Sequence, residues 1–325
     1  MRNKIRLFIA PLLALLTTTG EAAAQGAPFT DYHQHLFSPG IAALIFPDSS
    51  KPVTLTARDL MPLLDSASIR RALVLSVAYM FGSPKRKIQH EYAKVREEND
   101  WTGKQAAQYP ERLRAFCGFN PLKEYALQEL ERCAKDPNLR RGIKLHFGNS
   151  DVQIDNPTHV EQLRRVFRAA NQHRMAIVVH MRASISQKRP YGAAQAHAFI
   201  EQLLPVVPDI DVQVAHFAGT GPGYDDPPSD SAMAVLAEAV ERKDPRTRRL
   251  WFDVASIVDL NISASNAALV AKRIRQVGVG RVLYGSDAAI GDNLRPRESW
   301  AAFRRLPLTE DEFTTIARNK APYLD

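Results

Sequence analysis

The chain has 325 residues, 45% of them hydrophobic, with 43 Lys and Arg against 35 Asp and Glu and a formal net charge of +8. That is enough apolar material for one large α/β domain or two smaller ones. The basic excess is scattered, as at Arg164-Arg165 and Arg304-Arg305, without a long basic run or interleaved aromatics, so a nucleic-acid partner is not indicated.

Residues 1–24 read as a cleavable secretory signal. Arg2, Lys4 and Arg6 form a basic start, 7–16 is an apolar run, and Ala22-Ala23-Ala24 supplies small residues for cleavage before Gln25. The apolar run is too short for a stable bilayer span, which takes about 20 residues, and no later segment offers one. A single soluble domain over 25–325, periplasmic or secreted, is the expectation. Cys117 and Cys133 are the two cysteines. An oxidising compartment permits a bridge, and two buried free thiols are expected.

The first strand is expected at 29–36, F-T-D-Y-H-Q-H-L, where period-two alternation puts Asp31, His33 and His35 on one face and Tyr32 and Gln34 on the other. The loop 37–52 that follows carries Ile41, Leu44, Ile45 and Phe46, apolar enough to cover a pocket or a neighbouring copy in a homo-oligomer. Strands then recur at 72–79, 113–119, 142–147, 175–180, 212–217, 250–257 and 281–285, with helical patterns at 57–65, 87–108, 122–134, 160–173, 193–204, 232–242 and 264–277 between them. A closing helix over 309–319 starts on Thr309 with Glu310, Asp311 and Glu312 in its first turn. Strict alternation of apolar strands with helices predicts a parallel sheet closed into a single (β/α)8 barrel. An open doubly wound sheet would carry a Gly-rich phosphate loop where this chain has Phe37-Ser38-Pro39-Gly40. Asp59, Glu97 and Glu98 fall on helical stretches and read as solvated faces.

Reactive groups of such a barrel collect at the C-terminal ends of its strands. Five of the nine histidines fall there: His33 and His35 on the first strand, His146 on the fourth, His180 on the fifth and His216 on the sixth. The eighth strand ends Tyr284-Gly285-Ser286-Asp287, adding a carboxylate. His33, His35, His180 and Asp287 offer three nitrogens and an oxygen, a donor set suited to Zn²⁺ or a similar divalent ion. His216 is left to assist as base or electrostatic stabiliser.

The pattern D-Y-H-Q-H, V-V-H at 178–180, V-A-H-F-A-G at 214–219 and Y-G-S-D at 284–287 resembles the amidohydrolase superfamily, specifically its amidohydrolase-related branch. Asn99-Asp100 and 109–116 are similar to that branch's usual helix and third strand. The resemblance implies that His33, His35, His180 and Asp287 bind metal, that His216 assists catalysis, and that Asp287 takes the proton of the activated water. It also implies a choice at Lys144, which stands where binuclear relatives carry a carboxylated bridging lysine. One metal is the default expectation and two remain possible.

Lys144 and His146 share a strand face, so either can reach the rim. Arg182, two residues beyond His180, is a candidate fork for a substrate carboxylate or carbonyl, and His146 a second substrate contact. Asp253 and Ser256 are further rim candidates, and 219–230, with Tyr224, Asp225 and Asp226, is a candidate lid. The expected reaction is hydrolysis of an amide, lactone or ester of a small molecule. Non-oxidative decarboxylation of an aromatic or unsaturated acid is the alternative.

Overall fold

The computed structural model describes residues 26–49, 53–288 and 293–324. The expected signal segment lies outside them, as do the last three residues of the 37–52 loop. The elements run β1 (Thr30–Gln34), α1 (Pro39–Ile45), α2 (Ala57–Ser66), β2 (Arg71–Leu75), α3 (Glu91–Ala107), β3 (Leu113–Gly118), α4 (Ala126–Lys135), β4 (Gly142–His146), α5 (Phe147–Ser150), α6 (Pro157–Gln172), β5 (Ala176–His180), α7 (Ala193–Ala198), β6 (Val212–Val214), α8 (Pro227–Glu241), β7 (Leu250–Asp253), α9 (Ala264–Val277), β8 (Val282–Leu283), α10 (Pro296–Phe303) and α11 (Glu310–Arg318). The eight strands pair in chain order, every pair parallel. The Tyr32 N–H donates to Tyr284 O at 2.8 Å and the Asp287 N–H to His33 O at 2.8 Å, so the last strand comes round to the first. This is the (β/α)8 barrel that the strand–helix alternation predicts.

Alternate residues of each strand face opposite ways. Ile143 and Leu145 of β4, Ile177 and Val179 of β5, and Val212 and Val214 of β6 join the large core between strands and helices. Leu73, Leu75, Phe116, Val178 and Leu283 face inward with Tyr32. Ala321, Tyr323 and Leu324, beyond α11, insert among these inward residues and close the barrel's floor. A Cβ on Gly142 would collide with the Phe116 ring, so glycine at the start of β4 leaves the space that ring fills. Above this apolar layer the inward positions turn polar, with Lys144, Gln213 and Asp253 all buried.

Several apolar runs outlast their strands. β6 stops at Val214 because His216, Phe217 and Ala218 adopt left-handed backbone, with φ of 53, 49 and 62°. The loop after β1 holds α1, which Ser38 caps by accepting the Ile41 N–H at 3.1 Å while Pro39 occupies the first turn. Ser-Pro is a helix start as well as a turn signal. α9 spans 264–277 as the periodicity predicts, and α11 begins on Thr309 with a capping box to Glu312.

Two sequence expectations are corrected. Cys117 and Cys133 form a disulfide rather than two free thiols. Cys117 faces outward from β3, Cys133 lies on the buried face of α4, and their Cα atoms are 6.3 Å apart, within bridging range. Beside the bridge, the Asn99 side chain accepts the Gly118 N–H at 2.8 Å and donates to Gly118 O at 2.9 Å and Glu129 Oε1 at 2.7 Å, joining α3, β3 and α4.

Glu98 is the second correction, since it is 1% exposed rather than solvated. Its Oε2 accepts from the Ser38 hydroxyl, and its Oε1 is buried with no hydrogen-bond partner among the described residues. Burial pushes its carboxyl up to about 7, against the bonds from Ser38. A carboxyl raised in the folded state contributes stability that is complete below its unfolded value and lost as pH rises through 7. The stability of the native chain relative to Glu98→Gln is therefore expected to fall by about 3 kcal/mol between pH 4.5 and 8.5. Urea unfolding of both proteins across that range measures it, and a constant difference would show that Glu98 does not titrate there.

Candidate metal centre

β1 brings His33 and His35 together through an irregularity. Asp31 pairs with Ala72 but Gln34 with Val74, so β1 spends one residue more than β2 over the same stretch. His33 and His35 meet edge to face, with centroids 5.2 Å apart. Asp31 does not join them. Its Oδ1 accepts the N–H groups of His33 and Ser286, both at 3.1 Å, and its Oδ2 accepts Gln34 Nε2 and the Ser286 hydroxyl, both at 2.7 Å. Gln34, expected on the opposite face, thus shares the carboxylate that fastens the end of β8 to β1. A Cβ on Gly285 would lie 2.8 Å from His33 Cβ, so glycine permits this close approach. Asp287 follows in left-handed backbone at φ 53°.

The hydrogen bonds decide which nitrogen each histidine offers. A carbonyl oxygen only accepts, so a ring nitrogen bonded to one must carry the proton. His35 Nδ1–H donates to Leu75 O at 2.6 Å and His216 Nδ1–H to Ala255 O at 2.9 Å. His33 Nδ1–H donates to Asp253 Oδ2 at 3.0 Å. All three leave Nε2 unprotonated, and that of His33 accepts from the Lys144 ammonium at 3.1 Å. His146 is the reverse, because its Nδ1 accepts the Asn149 N–H at 3.1 Å and its Nε2 therefore carries the proton. Burial lowers all five rim histidines below the ordinary imidazole value, His35 to about 3, with the nearby Lys144 charge adding to it. They are neutral, as metal ligation requires.

His33, His35 and Asp287 bring one ligand atom each to within 4.8 Å of one another, as do His33, His216 and Asp253. The second group is already satisfied. Asp253 Oδ2 accepts from His33 and from Gln213 Nε2, the latter at 2.5 Å, and its Oδ1 accepts the N–H groups of His216 at 2.9 Å and Ala255 at 3.1 Å. Burial opposes ionisation of Asp253, but His33, His216 and these bonds outweigh it and hold the carboxyl well below the usual range. Asp253 orients the histidines and has no lone pair to spare. Asp287 differs: Oδ2 accepts from Asn293 at 3.0 Å, while Oδ1 is buried without a hydrogen-bond partner among the described residues, 3.5 Å from His35 Nε2. Burial raises the Asp287 carboxyl, and Lys144 only partly offsets it.

An orphaned carboxylate oxygen beside bare imidazole nitrogens fits a divalent cation. His33, His35 and Asp287 would hold it. His180, the fourth expected ligand, stacks on His146 with centroids 3.8 Å apart and meets His216 at 5.1 Å, adjoining that group without completing it here. Lys144 is 1% exposed, and its Nζ lies 3.1 Å from His33 Nε2. Burial lowers its ammonium while Asp253 and Asp287 pull it back up.

Arg182 is 7% exposed and already engaged. Its Nε donates to Asp226 Oδ2 at 2.7 Å, and its guanidinium lies 4.8 Å from the Tyr191 centroid. It ties the loop after β6 to the rim rather than standing open as a fork. Ser256, also at the rim, adopts left-handed backbone at φ 52° and has a buried hydroxyl with no hydrogen-bond partner among the described residues. The central place of Asp253, offered by the sequence only as a rim candidate, and the part of Gln213 were not legible from spacing.

A family model described as amidohydrolase matches residues 30–319. The chain belongs to the amidohydrolase family. No curated protein sequence matches it. Among solved structures, this amidohydrolase is similar to 5-carboxyvanillate decarboxylase from Sphingomonas paucimobilis, at 15% identity and a TM-score of 0.62 over 90% of this chain and 97% of that one. It is also similar to a probable 2-pyrone-4,6-dicarboxylic acid hydrolase from Acinetobacter baumannii, at 18% identity and a TM-score of 0.56 over 90% and 96%. A third is 5-carboxyvanillate decarboxylase from Novosphingobium aromaticivorans, complexed with manganese, at 13% identity and a TM-score of 0.60 over 92% and 96%. These likenesses are of fold, and they include both a hydrolase and decarboxylases.

Proposed function

We propose that this amidohydrolase is a metal-dependent hydrolase of a small-molecule amide, lactone or ester, with one divalent ion held by His33, His35 and Asp287 and adjoined by His180. The observation that carries the reading is the buried Asp287 carboxyl. Among the described residues its Oδ1 has no hydrogen-bond partner and lies 3.5 Å from His35 Nε2, which leaves that oxygen open to a cation or to the proton of an attacking water. The ion, when bound, supplies Lewis acidity that polarises the carbonyl and makes water more acidic. The donor set favours zinc, and the manganese of a fold neighbour makes that ion the second one to test.

The residues divide the remaining work. Asp287 takes the proton of the attacking water and returns it to the leaving group. His216, with a bare Nε2, accepts a hydrogen bond and does not donate one while neutral. The donors for developing negative charge are the Lys144 ammonium and the His146 Nε2–H, which reassigns the stabilising role expected of His216. Export to the periplasm or the exterior is part of this proposal, supported by the basic, apolar and small-residue run at 1–24 and by the buried disulfide.

Lys144 also favours a second reading, decarboxylation, because a buried ammonium can hold a substrate carboxylate while a protonated Asp287 delivers its proton to carbon. Labelled water separates the two. The zinc- and manganese-loaded protein is incubated in ¹⁸O water with panels of lactones, esters, amides and benzoate-type acids. Hydrolysis places ¹⁸O in a new carboxylate. Release of carbon dioxide without that incorporation would replace the hydrolase reading with the second.

A further inference from the structure

Tyr323 is separated by the whole barrel sequence from His33, yet three hydrogen bonds connect them. Its hydroxyl donates to Gln213 Oε1, Gln213 Nε2 donates to Asp253 Oδ2 at 2.5 Å, and the same Oδ2 accepts His33 Nδ1–H at 3.0 Å. Gln213 is fully buried, and its Nε2 also lies 3.4 Å from Tyr32 O. The Tyr323 ring packs against Phe116 at 5.6 Å and Tyr32 at 6.2 Å, and Tyr32 Oη accepts the Ala321 N–H at 2.9 Å. The segment beyond α11 is therefore more than an apolar stopper, since one end of a polar chain leading to His33 rests on it.

An amide has one donating and one accepting end, and Gln213 must point its NH₂ at Asp253. The reversed amide would set Oε1 against a carboxylate. The Tyr323 hydroxyl, bonded to Oε1, selects the productive orientation. With Gln213 so held, Asp253 Oδ2 stays where it can receive Nδ1–H, and the unprotonated His33 Nε2 is aimed into the centre. Partners behind a ligating histidine commonly change metal affinity by 10- to 100-fold when removed.

We infer that Tyr323 and Gln213 are positioning residues for His33, so that the segment closing the barrel floor tunes the metal centre at its mouth. This rests on the metal reading of the site and not on the choice between hydrolysis and decarboxylation.

The test uses the full chain, Tyr323→Phe and Gln213→Met. Phenylalanine keeps the ring contacts and lacks only the hydroxyl, and methionine keeps most of the glutamine's volume. Mn²⁺ dissociation constants are read by electron paramagnetic resonance of free manganese. The His33 Nδ1 proton is followed by NMR in ¹⁵N-histidine-labelled, metal-free protein, assigned by its loss in His33→Ala. Mn²⁺ is expected to bind about fivefold more weakly in Tyr323→Phe and about tenfold or more in Gln213→Met, with the Nδ1 proton signal shifted or broadened in both. Unchanged Mn²⁺ affinity and an unmoved Nδ1 signal in both variants would overturn the inference and leave the segment a packing plug. If the native chain bound neither Mn²⁺ nor Zn²⁺, the metal reading would fall, and the metal-free NMR signal would still decide whether Tyr323 and Gln213 position His33.

Discussion

Asp287→Asn is expected to lower turnover of a substrate found in the panel by about 10³-fold, the scale of losing a general base, and to weaken divalent-metal binding at least tenfold, while the barrel stays folded. Asparagine preserves the shape and tolerates left-handed backbone, so the φ of 53° adds no new strain. The backbone bond from the 287 N–H to His33 O is also kept. What changes is chemical. The unpartnered Oδ1, 3.5 Å from His35 Nε2, becomes an uncharged amide atom that can neither accept a proton from water nor add negative charge beside two neutral imidazoles. Steady-state kinetics and metal analysis on the same preparations, with circular dichroism to show folding, check the three parts together. Turnover within tenfold of the native chain would move the base elsewhere and remove the observation on which the hydrolase reading stands.

The parts of the site legible in the sequence are those written by period and position. His33 and His35 stand two apart on a strand, and His180 and Asp287 fall where apolar strand runs end. Barrel topology brings such ends to one rim whatever the intervening helices are. What was not legible depends on contacts between distant residues. Asp253 is one carboxylate after an apolar strand, and only the meeting with His33, 220 positions away, makes it the group that sets a tautomer. Arg182 carries no mark of its engagement with Asp226, 44 positions on. Gln34 crossed to the side of Asp31 because β1 takes an extra residue, which a strict period of two cannot show. Cys117 and Cys133 follow the same logic, since burial alone suits a thiol as well as a bridge.

Lys144→Met is expected to keep one metal per chain, to tighten metal binding about tenfold, and to lower turnover about 100-fold. In the native chain the Lys144 ammonium lies 3.1 Å from His33 Nε2, the nitrogen a metal would use, and between two carboxyl groups that attract it. Two unit charges about 4 Å apart interact by about 4 kcal/mol at an effective dielectric of 20, so a dication bound at His33 Nε2 meets a repulsion of at least that scale from the ammonium. Methionine has nearly the lysine's length and no charge, so that repulsion disappears and the metal binds more tightly. The same change removes the cation assigned to the developing oxyanion and deprives Asp287 of the charge that holds its proton affinity down, so turnover falls although metal occupancy rises. Without metal, the variant is expected to be less stable by about 3 kcal/mol, because removing one member of a buried charged pair leaves the other uncompensated. Elemental analysis of both proteins, purified without chelator and with bicarbonate present, decides between this and the carboxylated bridge. Two metals in the native chain, falling to one or none in Lys144→Met, would mean that Lys144 carries a carbamate and joins two ions rather than competing with one.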